Sequence, residues 1–327
     1  MTNQSALNKY CNDFKKLNRS SHKILGKAPH KPILLLSVLQ LIRKGEITSN
    51  RIFITPELVL AFKSNWQALV TTFHTCNFAL PFFHLKSEPF WQLTFLSKGA
   101  SSIKSMSTLN SVKENIAFAE IDQALFLLMV DEVTNAYLEK MLLEQYFPTI
   151  TDRYVEEAPK LQYALEFEIK NQMVNDTKEE YQTKIQTLEN QLTEEEFEEE
   201  RFIRGGIFKK EIPRLYNHQC CISEMKIETT INAQLVDACH IIPFSFSNDD
   251  TISNGICLSP NLHRAYDRGL LTITEDYIVR ISPTVRETQS PYGIMQFAGK
   301  RISLPQEFKH YPSVQNLSWH RKEKFVM

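Results

Sequence analysis

Three short segments hold the residues best suited to chemistry: Asp237-Ala-Cys-His240, Ser253-Asn254-Gly255 and Asn261-Leu-His263-Arg-Ala-Tyr-Asp267. Histidines, carboxylates and an amide in this order suit the hydrolysis of a phosphodiester. That reaction needs a base to deprotonate water, and a cation to stabilise the charge that builds on phosphorus and on the leaving oxygen. His240 is the candidate base. His263 and Asp267 stand four apart, so on a helix they share a face and can reach one metal ion together. Asp237 offers a further oxygen, which a hard divalent ion prefers to the thiol of the neighbouring Cys239.

These residues need elements to hold them. Gln234 to Ile242 reads as a strand stopped by Pro243, which puts His240 at its exit. Asn254 to Leu258 reads as a second strand, followed by a helix with Ser259 as cap and Pro260 in the first turn. Gly269 closes that helix, and Leu270 to Ile273 returns as a strand. Strand, strand, helix is the predicted order. With 13 residues between His240 and Asn254 and 8 between Asn254 and His263, the stretch from Cys220 to Ile273 resembles the HNH endonuclease family. Cys220-Cys-Ile-Ser223, Ala238-Cys-His-Ile-Ile-Pro-Phe244 and Leu262-His-Arg-Ala-Tyr-Asp-Arg-Gly-Leu270 resemble its variant found in bacterial restriction enzymes. The resemblance implies a ββα-metal fold with His240 as general base, Asn254 orienting the loop and the base, and His263 as metal ligand. It adds Asp267 as a further ligand or ligand support, and products with a 5′-phosphate and a 3′-hydroxyl. Many relatives carry Asp or His where this chain has Cys239, and Asp237 is the substitute expected here. Mg²⁺ is the expected ion, with Mn²⁺ tolerated and a softer ion if Cys239 coordinates. Arg264 and Arg268, with Lys209, Lys210 and Arg214, are candidate phosphate contacts.

The chain has 327 residues, room for two domains with cores of their own. Six cysteines contain no Cys-x-x-Cys pair, which argues against a disulfide framework or a four-thiolate zinc site and for a reducing cytoplasm. No apolar stretch reaches the roughly 18 residues of a spanning helix, and the first residues lack the layout of an export signal, so no membrane partner is expected. A net charge of −1 hides strong segregation. Residues 1–110 carry 14 Lys and Arg against 4 Asp and Glu, and residues 201–327 carry 16 against 12. Between them, residues 111–150 carry 2 against 7 and residues 151–200 carry 5 against 15. Two basic blocks suit a polyanion, and double-stranded DNA is the expected partner.

In the first block, Pro32 precedes Ile33-Leu-Leu-Leu-Ser-Val-Leu-Gln-Leu-Ile42, a helix apolar on most faces and so a core helix. Thr55-Pro56-Glu57 starts a second helix. Leu80 to Leu85 and Phe90 to Leu93 read as two short aromatic strands, and helices return from about Glu120 to Phe147. Ala28-Pro-His-Lys-Pro-Ile-Leu-Leu-Leu36, Leu80-Pro-Phe-Phe-His-Leu85, Phe90-Trp-Gln-Leu93 and Leu142-Leu-Glu-Gln-Tyr-Phe-Pro148 resemble the sulfur-binding domain that precedes HNH modules in endonucleases directed at phosphorothioate-modified DNA. The resemblance implies an apolar pocket at Pro81 that receives the sulfur, a cationic rim of His30 and Lys31, and His84 close by. Leu80 stands where an aromatic is common in that family, and Lys31 where Arg is frequent.

Tyr154 to Glu200 lacks glycine and reads as one long helix, with Val174, Tyr181, Ile185, Leu188 and Leu192 as a short heptad seam and Gly205-Gly206 as the break after it. The expectation is an α+β protein of two domains: a modified-DNA reader over 1–150, a helical acidic linker over 151–204, and an HNH domain over 205–327. Cutting both strands with one centre per chain calls for a homodimer, with the seam as its interface. Two other readings share these features. One is an HNH nuclease whose first domain reads methylated or hydroxymethylated cytosine by stacking on Phe82, Phe83 or Trp91; the other is a non-catalytic DNA-binding protein.

Overall fold

The computed structural model describes residues 3–229, 234–288 and 290–327. Its contacts divide the chain into two compact units, Met1–Phe167 with Gln191–Ile203, and Glu168–Asn190 with Arg204–Met327. Both mix helices with small antiparallel sheets.

Unit 1 runs through α1 (Asn3–Lys15), β1 (Ser21–His22), β2 (Gly26–Lys27), α2 (His30–Arg43), β3 (Arg51–Ile52), α3 (Pro56–Leu69) and α4 (Ala79–His84). It continues with β4 (Trp91–Phe95), α5 (Leu109–Asn115), β5 (Ile116–Ile121), α6 (Gln123–Val130) and α7 (Glu132–Tyr146). β5 lies between β3 and β4 in an antiparallel sheet. Every residue of α2 from Lys31 to Ile42 is buried, as an apolar run without a polar face requires. Its two interior polar side chains are satisfied by α3, where Asn65 Nδ2 donates to Ser37 Oγ at 3.0 Å and to Gln40 Oε1 at 3.2 Å. Thr55 caps α3 by accepting from the Leu58 amide, with Pro56 in the first turn.

One expectation fails here: Leu80 to His84 is helical, not a strand. Asn77 Oδ1 accepts from the Leu80 amide at 3.1 Å, and Pro81 sits in a first turn that needs no donor from it. Phe82 and Phe83 then bury on different sides of a single turn, which an alternating strand could not achieve with one covered face.

The acidic segment is three helices rather than one: α8 (Thr151–Asn175), α9 (Lys178–Gln191) and α10 (Glu194–Leu215). Reciprocal caps restart the backbone at each break. Glu180 accepts from the Thr177 amide while Thr177 accepts from the Glu180 amide, and Thr193 and Glu196 repeat the exchange. Gly205 and Gly206 lie inside α10, just past the change of unit between Ile203 and Arg204, and do not interrupt the helix, since burial of Ile207, Phe208 and Ile212 outweighs the roughly 1 kcal/mol that each glycine costs. From the heptad seam, Tyr181 and Ile185 are already buried within unit 2.

Unit 2 continues with β6 (Asp237–His240), α11 (Phe244–Ser247), β7 (Gly255–Leu258), α12 (Pro260–Asp267), β8 (Leu271–Ile273), β9 (Val279–Ile281) and α13 (Val314–Glu323). β6 and β7 pair antiparallel, with His240 opposite Gly255 and Asp237 opposite Leu258. β6 begins at Asp237, later than the predicted Gln234, and α12 packs against β6 and β8. Gly269 ends the α12 turn with φ +68°, where a side chain would collide with the Lys324 carbonyl. No described helix is long and apolar enough to cross a membrane.

Candidate functional site

Cys239 and His240 are the last two residues of β6, and each faces a different set of partners. His240 Nε2 lies 2.8 Å from Asp250 Oδ1, and its ring stacks on Phe208 with centroids 3.9 Å apart and planes 5° from parallel. With Nε2–H donating to the carboxylate, Nδ1 is left as the basic nitrogen. Gly255 makes the stack possible. A Cβ on it would overlap Ile212 and stand 2.9 Å from the Phe208 ring, so only glycine opposite His240 leaves that face open to Phe208.

Asn254 is fully buried, and its amide ties the loop between β6 and β7. It donates to the Ile242 and Asp249 carbonyls at 2.9 Å each, and accepts from the Ile242 amide at 2.9 Å and from Asn316 Nδ2 at 3.0 Å. With every polar atom engaged, Asn254 fixes the loop that delivers Asp250 to His240 and does not itself meet substrate. Sequence reasoning missed Asp250, Phe208 and Asn316. The adjacent carboxylates Asp249-Asp250 in an otherwise neutral loop were the one available signal, because Phe208 and Asn316 arrive from distant helices.

On the α12 side, His263 lies between two carboxylates: Nδ1 is 3.1 Å from Asp237 Oδ2, and Nε2 is 3.5 Å from Asp267 Oδ2. Cys239 Sγ is 4.0 Å from Asp267 Oδ1. Donor atoms of Cys239, His263 and Asp267 all lie within 4.8 Å of one another. Two donors of one tetrahedral ion stand roughly 3.3–3.6 Å apart, so this trio could hold an ion if its atoms drew closer. Asp237 is not in that group and instead holds the opposite ring nitrogen of His263. Burial first, then the Asp267 and Asp237 charges, hold the Cys239 thiol well above its ordinary range. Arg264 and Arg268 are exposed, and neither has an ion-pair partner among the described residues. Lys209 and Lys210 are exposed as well, while Arg214 pairs with Glu211 at 3.6 Å.

In unit 1 a cavity of about 610 Å³ brings together His30, Lys31, Pro81 and His84, with Leu80 and Ala28 on its apolar wall and Arg19, His22, His74 and Lys86 also lining it. The cationic rim is not where it was expected. His30 Nε2 donates to the Thr75 carbonyl at 3.0 Å and its ring lies 4.5 Å from Trp66; burial pushes its pKa down to about 4, so it is neutral at pH 7. Lys31 is matched by Glu88 at 2.5 Å and by Ser87 Oγ at 2.7 Å, both charged side chains being less than a tenth exposed. Burial, and then the nearby Lys31 and Lys86 charges, also push His84 down. Positive charge at the cavity therefore comes from Arg19 and Lys86. Phe82, Phe83 and Trp91 are buried in the core, and none of the residues lining the cavity is Phe, Tyr or Trp.

Residues 220–274 match the model of the HNH endonuclease family. No curated protein matches the chain. Among solved structures, a modification dependent TagI restriction endonuclease aligns at 22% identity with a TM-score of 0.29, over 36% of this chain and 36% of its own. The alignment thus spans about a third of either protein. His240, Asn254, His263, Cys239, Asp250 and Asp267 all fall inside the matched stretch. The chain thus carries an HNH endonuclease domain at residues 220–274.

Proposed function

We propose that the chain is a modification-dependent restriction endonuclease that reads phosphorothioated double-stranded DNA in the cavity around Pro81 and cuts it at the centre around His240. The observation that carries the cutting half is the pair Cys239-His240: consecutive residues at one strand end, one among the possible ion ligands and the other held by Asp250 as a base. His240 Nδ1 takes a proton from the attacking water, and Asp250 steadies the imidazolium that forms. The water oxygen bonds to phosphorus as the bond to the 3′ oxygen breaks, leaving a 5′-phosphate and a 3′-hydroxyl. His263 and Asp267 would hold a divalent ion, which would supply positive charge for the phosphate and the leaving oxygen. Arg264 and Arg268 are free to meet flanking phosphates.

The reading half is supported by the composition of the cavity. Sulfur in place of a non-bridging oxygen weakens hydration at that edge and favours apolar contact, while the residual charge still calls for a cation. Leu80, Pro81 and Ala28 supply the first, and Arg19 and Lys86 the second, with neutral His30 and His84 as neighbours. A pocket for a flipped cytosine needs stacking faces, and the aromatics once available for that role are core residues. Intact His240 and its carboxylate argue against a non-catalytic DNA binder.

Two strands need two centres, so the working form is a homodimer. Plasmids that are unmodified, phosphorothioated or cytosine-modified, cut in parallel with Mg²⁺ and with Mn²⁺, test the substrate; equal cutting of all three refutes modification dependence. Sedimentation at working concentration tests the dimer, which a persistent monomer removes.

A further inference from the structure

The residue before the catalytic base is a buried thiol, and its neighbourhood bears on the choice of ion. Cys239 Sγ, a His263 nitrogen and an Asp267 oxygen lie within 4.8 Å of one another, the only such group among the described residues. Asp237, the oxygen donor expected to replace Cys239, accepts from His263 Nδ1 at 3.1 Å. That contact fixes the tautomer and leaves Nε2, beside Asp267 Oδ2, as the ligating nitrogen. The three donors are then sulfur, nitrogen and oxygen. Mg²⁺ demands octahedral oxygen and keeps its waters, so it gains nothing from a thiol. First-row ions later in the series accept thiolate and imidazole together in four-coordinate sites with an open position.

We propose that Cys239 is a metal ligand, and that the centre takes a thiolate-accepting ion of the Zn²⁺, Co²⁺ or Ni²⁺ class in preference to Mg²⁺. This rests on the reading of the site as a single-ion nuclease centre and deepens it. On binding, the Cys239 S–H bond breaks, its electron pair forms the sulfur–metal bond, and the proton leaves to solvent. Asp237 is a positioning residue for His263 and does not touch the ion.

The test titrates the full-length protein, stripped with a chelator, with Co²⁺ and reads absorption. The expected result is thiolate-to-cobalt charge transfer in the near ultraviolet, saturating at a single ion per chain. It should vanish in Cys239→Ser, be displaced by Zn²⁺, and survive a large excess of Mg²⁺. A parent spectrum without that band overturns the proposal whatever any variant does, and so does a band that persists in Cys239→Ser. Cys239→Asp, with circular dichroism to verify folding, should lose the band and gain Mn²⁺ binding. Parent-level cutting by Cys239→Ser in Mg²⁺ would remove the thiol ligand and leave the nuclease reading intact. Loss of cutting in His240→Ala with the cobalt band retained supports both.

Discussion

His240 and His263 in unit 2 each keep about a quarter of the side chain open to solvent and each face a carboxylate, whereas in unit 1 the half-buried His30 bonds the Thr75 carbonyl and packs against Trp66, and Lys31 is locked to Glu88 in the interior. The contrast fits the roles proposed above. The proposed base has to exchange a proton with water and the proposed ligand has to admit an ion, which their exposure allows, while buried neighbours aim them. In the unit 1 cavity burial pushes His30 and His84 down and Lys31 is paired with Glu88, which leaves the positive charge there to Arg19 and Lys86. Sequence position tells the same story. The unit 2 centre draws its candidate ligands and proposed base from residues 237–267, while the unit 1 cavity is assembled from residues 18–31 and 74–87.

The sharpest way to break this comparison is to remove a group on each side and read both catalysis and stability. His240→Ala should lower cleavage by about 10²–10⁴-fold, the contribution of a general base, with unfolding and DNA binding near parental. Parent-level cutting by that variant would end the assignment. Lys31→Met should do the reverse. It strands Glu88 in the interior and should cost about 3–5 kcal/mol in denaturant unfolding, with most of the loss recovered in Lys31→Met/Glu88→Gln. An unchanged midpoint for the single variant would mean that Lys31 is not structural, and would return it to the list of DNA contacts.

Asp250→Asn sharpens the account of aiming. An amide can donate to His240 Nε2, which turns the ring so that Nδ1 carries the hydrogen and cannot take a proton from water. Turnover should fall by about 10²-fold with KM unchanged, because Asp250 is buried and meets no DNA. A rise in KM with turnover preserved would place Asp250 in binding instead.

Much of the unit 2 centre was legible because its elements follow local rules. Ser259-Pro260 starts α12, Gly269 ends it, and spacing by four puts His263 and Asp267 on one face. What sequence could not give was the division of labour among Asp237, Cys239 and Asp250. Each is a plausible partner for a histidine, and only the pairing of β6 with β7 and the packing of α12 decide which reaches which nitrogen. Unit 1 was less legible. Leu80 to Leu85 has strand composition, and Asn77 with Pro81 turned it into a helix; Lys31 read as a surface cation because its partner Glu88 lies 57 residues away. The acidic segment misled for a related reason: Thr177 and Thr193 end one helix and start the next without a glycine or proline to signal it.

The smallest expected effect separates the units by pH. His320 in unit 2 is buried between Thr272 and the Tyr266 carbonyl, and burial holds its pKa at about 4. The unfolded chain, with an ordinary histidine near 6.5, takes up the proton first, so this group's stabilisation is complete above that value and is lost as pH falls toward 4. From pH 7 to pH 5 the loss is about 2 kcal/mol. His310, lowered by burial, adds to it, and Asp249, raised by burial, offsets part. In unit 1, His30 makes a similar loss, but Glu199, buried and held up to about 7, works against it. A carboxyl raised in the folded state is a burden at high pH, and that burden lifts as it protonates between pH 7 and pH 5, by about the same 2 kcal/mol. In unit 1, His84, lowered by burial, adds to the loss and Glu198, raised by burial, offsets part of it, so unit 2 should weaken over this range more than unit 1. Pulse proteolysis in urea, with fragments of each unit quantified separately at the two pH values, reads the difference. Equal weakening of both units would mean that Glu199 is ionised in the folded protein, and Glu199→Gln should then leave the unit 1 profile unchanged.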